Sequence, residues 1–287
     1  MIPSAFEYER ATSVDDALAK LAATGATGKF IAGGHSLVPL MKFRLNEPTT
    51  LIDIARIPGL AGVRDVNGAI EVGAGTVHHD VATSSLLRQQ CPVVAETAGT
   101  IGDPQVRNRG TLGGSLAHAD PAADYPAVML AVDAEIHLRS SRGPRVVPAS
   151  DFFQDLFTVD LAPDEIITAV RFAPVRAAAY AKLYQRASRF AIVGVAAALD
   201  VADGVIRSAR VGLTGAVSHA VRLTAVEEAL AGRQPTPEVV AEAAQLAGSD
   251  LEDVAGDIHA SETYRRAMVP VFAKRALDGA LARLTQR

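Results

Sequence analysis

Residues 100–126 read TIGDPQVRNRGTLGGSLAHADPAADYP. The rest of the chain is largely Ala, Val and Leu in amphipathic patterns. This segment instead gathers four glycines, two arginines, three aspartates and a histidine. A second segment has the same ending on a smaller scale: residues 31–37, Ile-Ala-Gly-Gly-His-Ser-Leu, follow a short apolar run. Paired glycines let a backbone approach a ligand closely and turn successive N–H groups toward one anion. The hydroxyls of Ser36, Thr111 and Ser115 suit phosphate oxygens. Two such clusters some eighty residues apart suit a pyrophosphate, which has two groups to grip. Asp124 could accept from a ribityl or ribose hydroxyl, as carboxylates do in other dinucleotide sites. Tight turns alone are the plainer explanation of either cluster by itself, and residue chemistry does not name the ligand.

Bulk properties narrow the function class. A hydrophobic content of 49% and a charged content of 21% over 287 residues describe a globular protein with room for two or three modest domains. Aromatics are 5% and Trp is absent, so the core must be aliphatic. A formal charge of −4 argues against nucleic-acid binding, which calls for a basic face. No window reaches the length and apolarity of a membrane span, and the start MIPSAFEYER lacks the features of a signal peptide. The expectation is a cytoplasmic protein that is not integral to a membrane. The single cysteine, Cys91, excludes disulfides, a thiolate zinc site and a four-cysteine iron–sulfur cluster. Placed near the end of a predicted helix, it reads as a structural thiol.

Periodicity gives the element order. Ser13 to Asp16 opens a helix as a capping-box variant, and Gly25 stands at its C′ position. Residues 29–31, 51–54, 69–72, 135–138 and 166–172 read as strands, and 77–89 as one helix. FAIVGVAAAL at 190–199 is a long apolar run, and VIRSARVGLTGA after it alternates like a strand. Helices over 224–231, 237–247 and 261–284 close the chain, the last with a kink expected at Pro270. Mixed strands and helices, then strands, then helices make an α+β protein.

Several motifs fail on inspection. IEVGAGTVHHD imitates a Rossmann start, but its third glycine is replaced by His78. His78-His79-Asp80 and His118-Ala119-Asp120 lack both metal-ligand spacing on a helix and a third ligand. Neither a P-loop nor a G-x-S-x-G elbow occurs.

AGGHSLVPLMKFRL and TIGDPQVRNRGTLGGSLAHADPAADYPA, with FAIVGVAAAL and HASETYRRAMVPVFAKRAL further on, strongly resemble the FAD-binding medium subunit of molybdenum hydroxylases. That family includes the aerobic carbon monoxide dehydrogenase medium subunit and the xanthine dehydrogenase FAD domain. The resemblance covers nearly the whole chain. It implies an FAD-binding fold of the p-cresol methylhydroxylase type, with two α/β subdomains at about 1–57 and 58–175, followed by a small antiparallel sheet with helices at 176–287. By similarity, the backbones of Ala32, Gly33, Gly34, His35, Ser36 and Leu37, and of Thr111, Leu112, Gly113, Gly114 and Ser115, hold the pyrophosphate. Ile101 and Ile167 line the adenine or ring environment, Asp124 meets a ribityl or ribose hydroxyl, and Lys182 lies near the ring's polar edge. Phe190 stands where the carbon monoxide enzyme stacks a Tyr on the isoalloxazine, so any role of that hydroxyl is lost or moved. The family's molybdopterin and 2Fe–2S clusters belong to a large and a small partner subunit, in an expected dimer of heterotrimers. This chain is then an electron-transferring flavoprotein subunit with no acid or base catalyst of its own. A stand-alone FAD-dependent oxidase of the same fold is the alternative.

Overall fold

The structure is a computed structural model that describes residues 2–25 and 27–284. Three sheets follow one another along the chain. The first is parallel: β1 (Glu7–Arg10), β2 (Gly28–Ile31) and β3 (Thr50–Asp53) pair in the order β1-β3-β2. Parallel neighbours need a crossover. The helix Val14–Ala23 supplies it between β1 and β2, with Ser13 accepting from the Asp16 N–H and Gly25 at φ +63°. From β2 the chain enters the first glycine loop directly.

The second sheet is antiparallel. Its strands are β4 (Val63–Val66), β5 (Ala69–Gly73), β6 (Glu135–Ser140) and β7 (Gly143–Pro148). After the short hairpin of β8 (Phe153–Asp155) and β9 (Thr158–Val159), β10 (Ile166–Phe172) completes it in the order β4-β5-β10-β6-β7. Between β5 and β6 lie six short helices, and the glycine-rich segment is among them. The single helix expected over 77–89 is two pieces, His78–Thr83 and Ser85–Gln90. Ser84 breaks it: its backbone leaves the helical region at ψ 119°, and its side chain caps the second piece by accepting from the Leu87 N–H.

Cys91 stands at a helix end as expected, but it also begins the next helix, Pro92–Thr100. It is nonetheless fully buried, and burial pushes its thiol up to about 12. Desolvation therefore outweighs any pull from the helix terminus, and the structural reading of this thiol holds.

The third sheet is antiparallel: β11 (Ala178–Tyr184), β12 (Ala191–Ala202), β13 (Val205–Thr214) and β14 (Val221–Arg222), in sequence order. Side chains of a strand alternate between faces, and here both faces are covered. Val193, Val195, Ala197 and Leu199 of β12 pack with the helices Thr224–Leu230, Pro237–Ala244 and Glu262–Leu284. Ala196 and Ala198 of the same strand join the core of the preceding sheets. Burial on both faces is why this strand reads as a continuous apolar run and not as an alternation. The last helix runs through Pro270.

One helix ties the third sheet to the rest. Asp124–Ala131 is buried at every residue. It lies so close to β13 that a Cβ on Gly212 would fall 3.1 Å from the Ala127 Cα. Its first residue, Asp124, is thereby fixed at the junction of the two halves.

Candidate functional site

The two glycine loops meet. Gly33 packs directly on the backbone of Arg109 and Gly110, and a Cβ there would stand 2.8 Å from the Gly110 Cα. Glycine at 33 is thus required first by the packing of one loop on the other. Gly34 holds φ +76°, a conformation that side chains disfavour. Around this junction opens a cleft of about 470 Å³. It is lined by both loops, by Ile101 and Ile167, and by Phe190 from the turn after β11.

Of the residues named from the sequence, Ala32, Gly33, Gly34, His35, Ser36, Leu37, Ile101, Thr111, Gly113, Gly114, Ser115, Asp124, Ile167 and Phe190 all line this one cleft. Leu112 and Lys182 do not. Leu112 is fully buried, with its N–H donating to the Thr76 carbonyl at 3.0 Å. The Lys182 ammonium, whose side chain is 7% exposed, donates to Asp124 at 3.0 Å and to the carbonyls of Thr100 and Arg189 at 3.2 and 2.8 Å. All three of its protons are used inside the protein.

The loops differ in what they have left to offer. Among the described residues, the N–H groups of Gly33, Gly34, His35 and Ser36 meet no protein acceptor, and Ser36 makes no side-chain capping bond. In the second loop the N–H groups are engaged: Gly113 donates to the Ala74 carbonyl at 2.8 Å, Gly114 to the Thr111 hydroxyl at 3.1 Å, and Ser115 to the Thr111 carbonyl at 3.0 Å. Unpaired backbone donors beside a cleft are a standing demand for acceptors. A diphosphate has the oxygens to meet it, so the donor set fits the dinucleotide.

Asp124 accepts from the Tyr180 hydroxyl at 2.6 Å and from Lys182. Burial raises its carboxyl above the usual range, opposed by the Lys182 charge and the Tyr180 hydrogen bond. A carboxylate has about four acceptor sites, which leaves capacity for a ligand hydroxyl. Phe190, 46% exposed, sits at the lip. Its turn is held by Gln185, which accepts from the Ser188 hydroxyl at 2.6 Å, and by the Lys182 bond to the Arg189 carbonyl. Lys182 therefore joins Asp124, the start of the second glycine-rich segment and the Phe190 turn through one ammonium.

Several cleft residues had no signal in the sequence or were set aside. Leu161 lines it from the stretch after β9, where the pattern is loose, and Glu165 and Ile166 line it from the entry to β10, where alternation marks a strand but no ligand contact. The sequence offers His78 as a metal-ligand candidate or a replaced Rossmann glycine, and neither reading places it in this cleft. Among the described residues no cluster able to hold a metal occurs. His78 instead is 4% exposed and lies in the cleft wall, its imidazole brought down to about 4 by burial and by the nearby His35 and Arg107.

Residues 4–174 match the family model for the FAD binding domain in molybdopterin dehydrogenase, and residues 178–280 match the CO dehydrogenase flavoprotein C-terminal domain. The carbon monoxide dehydrogenase medium chain of Hydrogenophaga pseudoflava is 39% identical over 286 residues, covering 99% of each chain. The 6-hydroxypseudooxynicotine dehydrogenase complex subunit alpha of Paenarthrobacter nicotinovorans is 38% identical, covering 99% of this chain and 97% of the other. The solved carbon monoxide dehydrogenase from Hydrogenophaga pseudoflava superposes with a TM-score of 0.94 at 40% identity, over 99% of both chains. With both halves matched and the likeness running end to end, the chain belongs to the family of FAD-binding flavoprotein subunits of molybdopterin dehydrogenases.

Proposed function

We propose that the chain is the flavoprotein subunit of a molybdenum-containing hydroxylase or dehydrogenase, passing electrons from a partner's iron–sulfur clusters through FAD to an external acceptor. The observation that carries this is the junction of the two glycine loops, with four N–H groups at one cleft that no acceptor among the described residues engages. Bound FAD accepts electrons singly and releases them in pairs, which suits a chain between one-electron clusters and a two-electron acceptor.

The chain's own residues then bind and orient. The N–H groups of residues 33–36 take the diphosphate oxygens, assisted by the Ser36 and Ser115 hydroxyls. Ile101 and Ile167 give apolar walls to the flat rings. Asp124, fixed by Tyr180 and Lys182, accepts from a ribityl or ribose hydroxyl. Phe190 covers the ring at the lip. We divide the chain at about residue 175, with the flavin held mainly by the first part.

With one buried cysteine, the chain has no ligands for the clusters, so they come from a small partner subunit and the molybdopterin from a large one, in a dimer of heterotrimers. Among the described residues no helix is long and apolar enough to cross a membrane, and we place the assembly in the cytoplasm. A stand-alone oxidase is disfavoured, because the residues after 177 match a flavoprotein C-terminal domain and not a separate substrate domain. The test is to tag the chain in its native host and purify it gently. Large and small subunits should copurify and be required for turnover of an organic substrate. Turnover by the chain alone would overturn the proposal.

A further inference from the structure

His78 begins the helix His78–Thr83, and its N–H donates to the Gly110 carbonyl at 2.9 Å, pinning it beside the second glycine-rich segment. Its ring is tilted against that of Tyr125, centroids 5.3 Å apart, with the Tyr125 hydroxyl 3.3 Å from Nδ1. Tyr125 is fully buried, and this is the one partner its hydroxyl has among the described residues.

That pairing decides the tautomer. A buried hydroxyl whose proton meets no acceptor costs about 1–3 kcal/mol. The Tyr125 O–H therefore donates to Nδ1, which must be the unprotonated nitrogen, and the ring proton sits on Nε2. Nε2 has no protein partner among the described residues and is not among their polar side-chain atoms sealed from solvent without one. Its surroundings place it at the loop junction. A Cβ on Gly110 would fall 2.6 Å from Nε2, and Gly110 is the residue on which Gly33 packs. Glycine at 110 keeps the imidazole clear of its own neighbour.

We propose that His78 is a hydrogen-bond donor to the diphosphate of the bound dinucleotide, through its Nε2–H, with Tyr125 as the positioning residue that fixes the donor tautomer. The proposal rests on the FAD reading above. The free N–H groups of residues 33–36 bring a phosphate to this junction, and the neutral imidazole adds a directed donor without adding a charge to the buried wall. A charged ring would be costly there, which agrees with a side chain that stays neutral well below pH 7.

The experiment uses apoprotein titrated with FAD, ADP and adenosine, read by calorimetry. His78→Phe should weaken FAD and ADP about ten- to a hundredfold, the range of a hydrogen bond to a charged group, and leave adenosine unchanged. His78→Gln, which keeps an N–H near the Nε2 position, should recover most of the loss. Nitrogen-15 spectra of the wild-type imidazole should show the proton on Nε2 and a downfield shift of that N–H when ADP binds. Unchanged FAD and ADP affinity in His78→Phe, an equal loss for adenosine, or a proton found on Nδ1 would overturn the proposal. If the wild-type protein binds no FAD, the functional reading itself fails, a result distinct from any of these.

Discussion

Gly33 rests on Gly110: a side chain at 33 would be driven to 2.8 Å from the Gly110 Cα. Two loops from different sheets' connections are thereby locked into one wall, and the cleft exists because neither position carries a Cβ. The glycines nevertheless differ in purpose. At Gly114 a Cβ would meet only the Thr111 hydroxyl, at 2.7 Å.

Gly33→Ala should therefore abolish FAD retention through gel filtration, because backbone cannot yield as a side chain can. Gly114→Ala should keep a substantial share of the flavin and lose about 1 kcal/mol of stability, the worth of the Thr111 cap it disturbs. Flavin-to-protein ratios and urea melts of the two variants check this. Equal retention in both would contradict the division of roles.

Lys182 and Asp124 are 7% and 5% exposed, so removing one partner strands a buried charge. Lys182→Met should cost about 3–5 kcal/mol near pH 8. The sign of its pH dependence follows from Asp124, whose folded pKa is raised above the usual 3.8 by burial. Stability linked to such a group is fully present below the unfolded pKa and is lost as pH rises through the folded one. Losing the Lys182 charge moves the folded value further up. The deficit of Lys182→Met relative to wild type should then shrink as pH falls from 8 toward 5, in urea melts at each pH. A deficit independent of pH would show that Asp124 is not the group responsible.

Burial holds the Cys91 thiol at about 12 against an ordinary 9.0. The folded chain keeps this proton longer than the unfolded one, so the linked stability is intact below pH 9 and lost between pH 9 and 12. At pH 8 a thiol reagent should label Cys91 only as fast as the chain unfolds. Rapid labelling of the native protein would contradict its burial.

The sequence exposes some of this design and conceals the rest for physical reasons. Ser13, Gly25 and both glycine loops announce themselves, because caps and close approaches demand particular residue types. The break at Ser84 is hidden: Val81 and Leu87 are both buried and keep an apolar pattern across it. Strand β1, EYER, has every residue exposed, so it shows no alternation. Strand β7 has proline at 144 and 148 and belongs at a sheet edge, where proline is tolerated. The donor role argued for His78 depends on Tyr125, 47 residues away, and no local pattern records that pairing. Lys182 is similar. Resemblance puts it near the ring's polar edge, and no local pattern shows that its three hydrogen bonds are all internal.

One measurement tests most directly whether this cleft holds FAD. The chain, purified alone and reconstituted with FAD, should show flavin absorption bands after gel filtration, and denaturation should release FAD in about a one-to-one ratio. A protein that is folded by circular dichroism yet retains no flavin under these conditions would contradict the account.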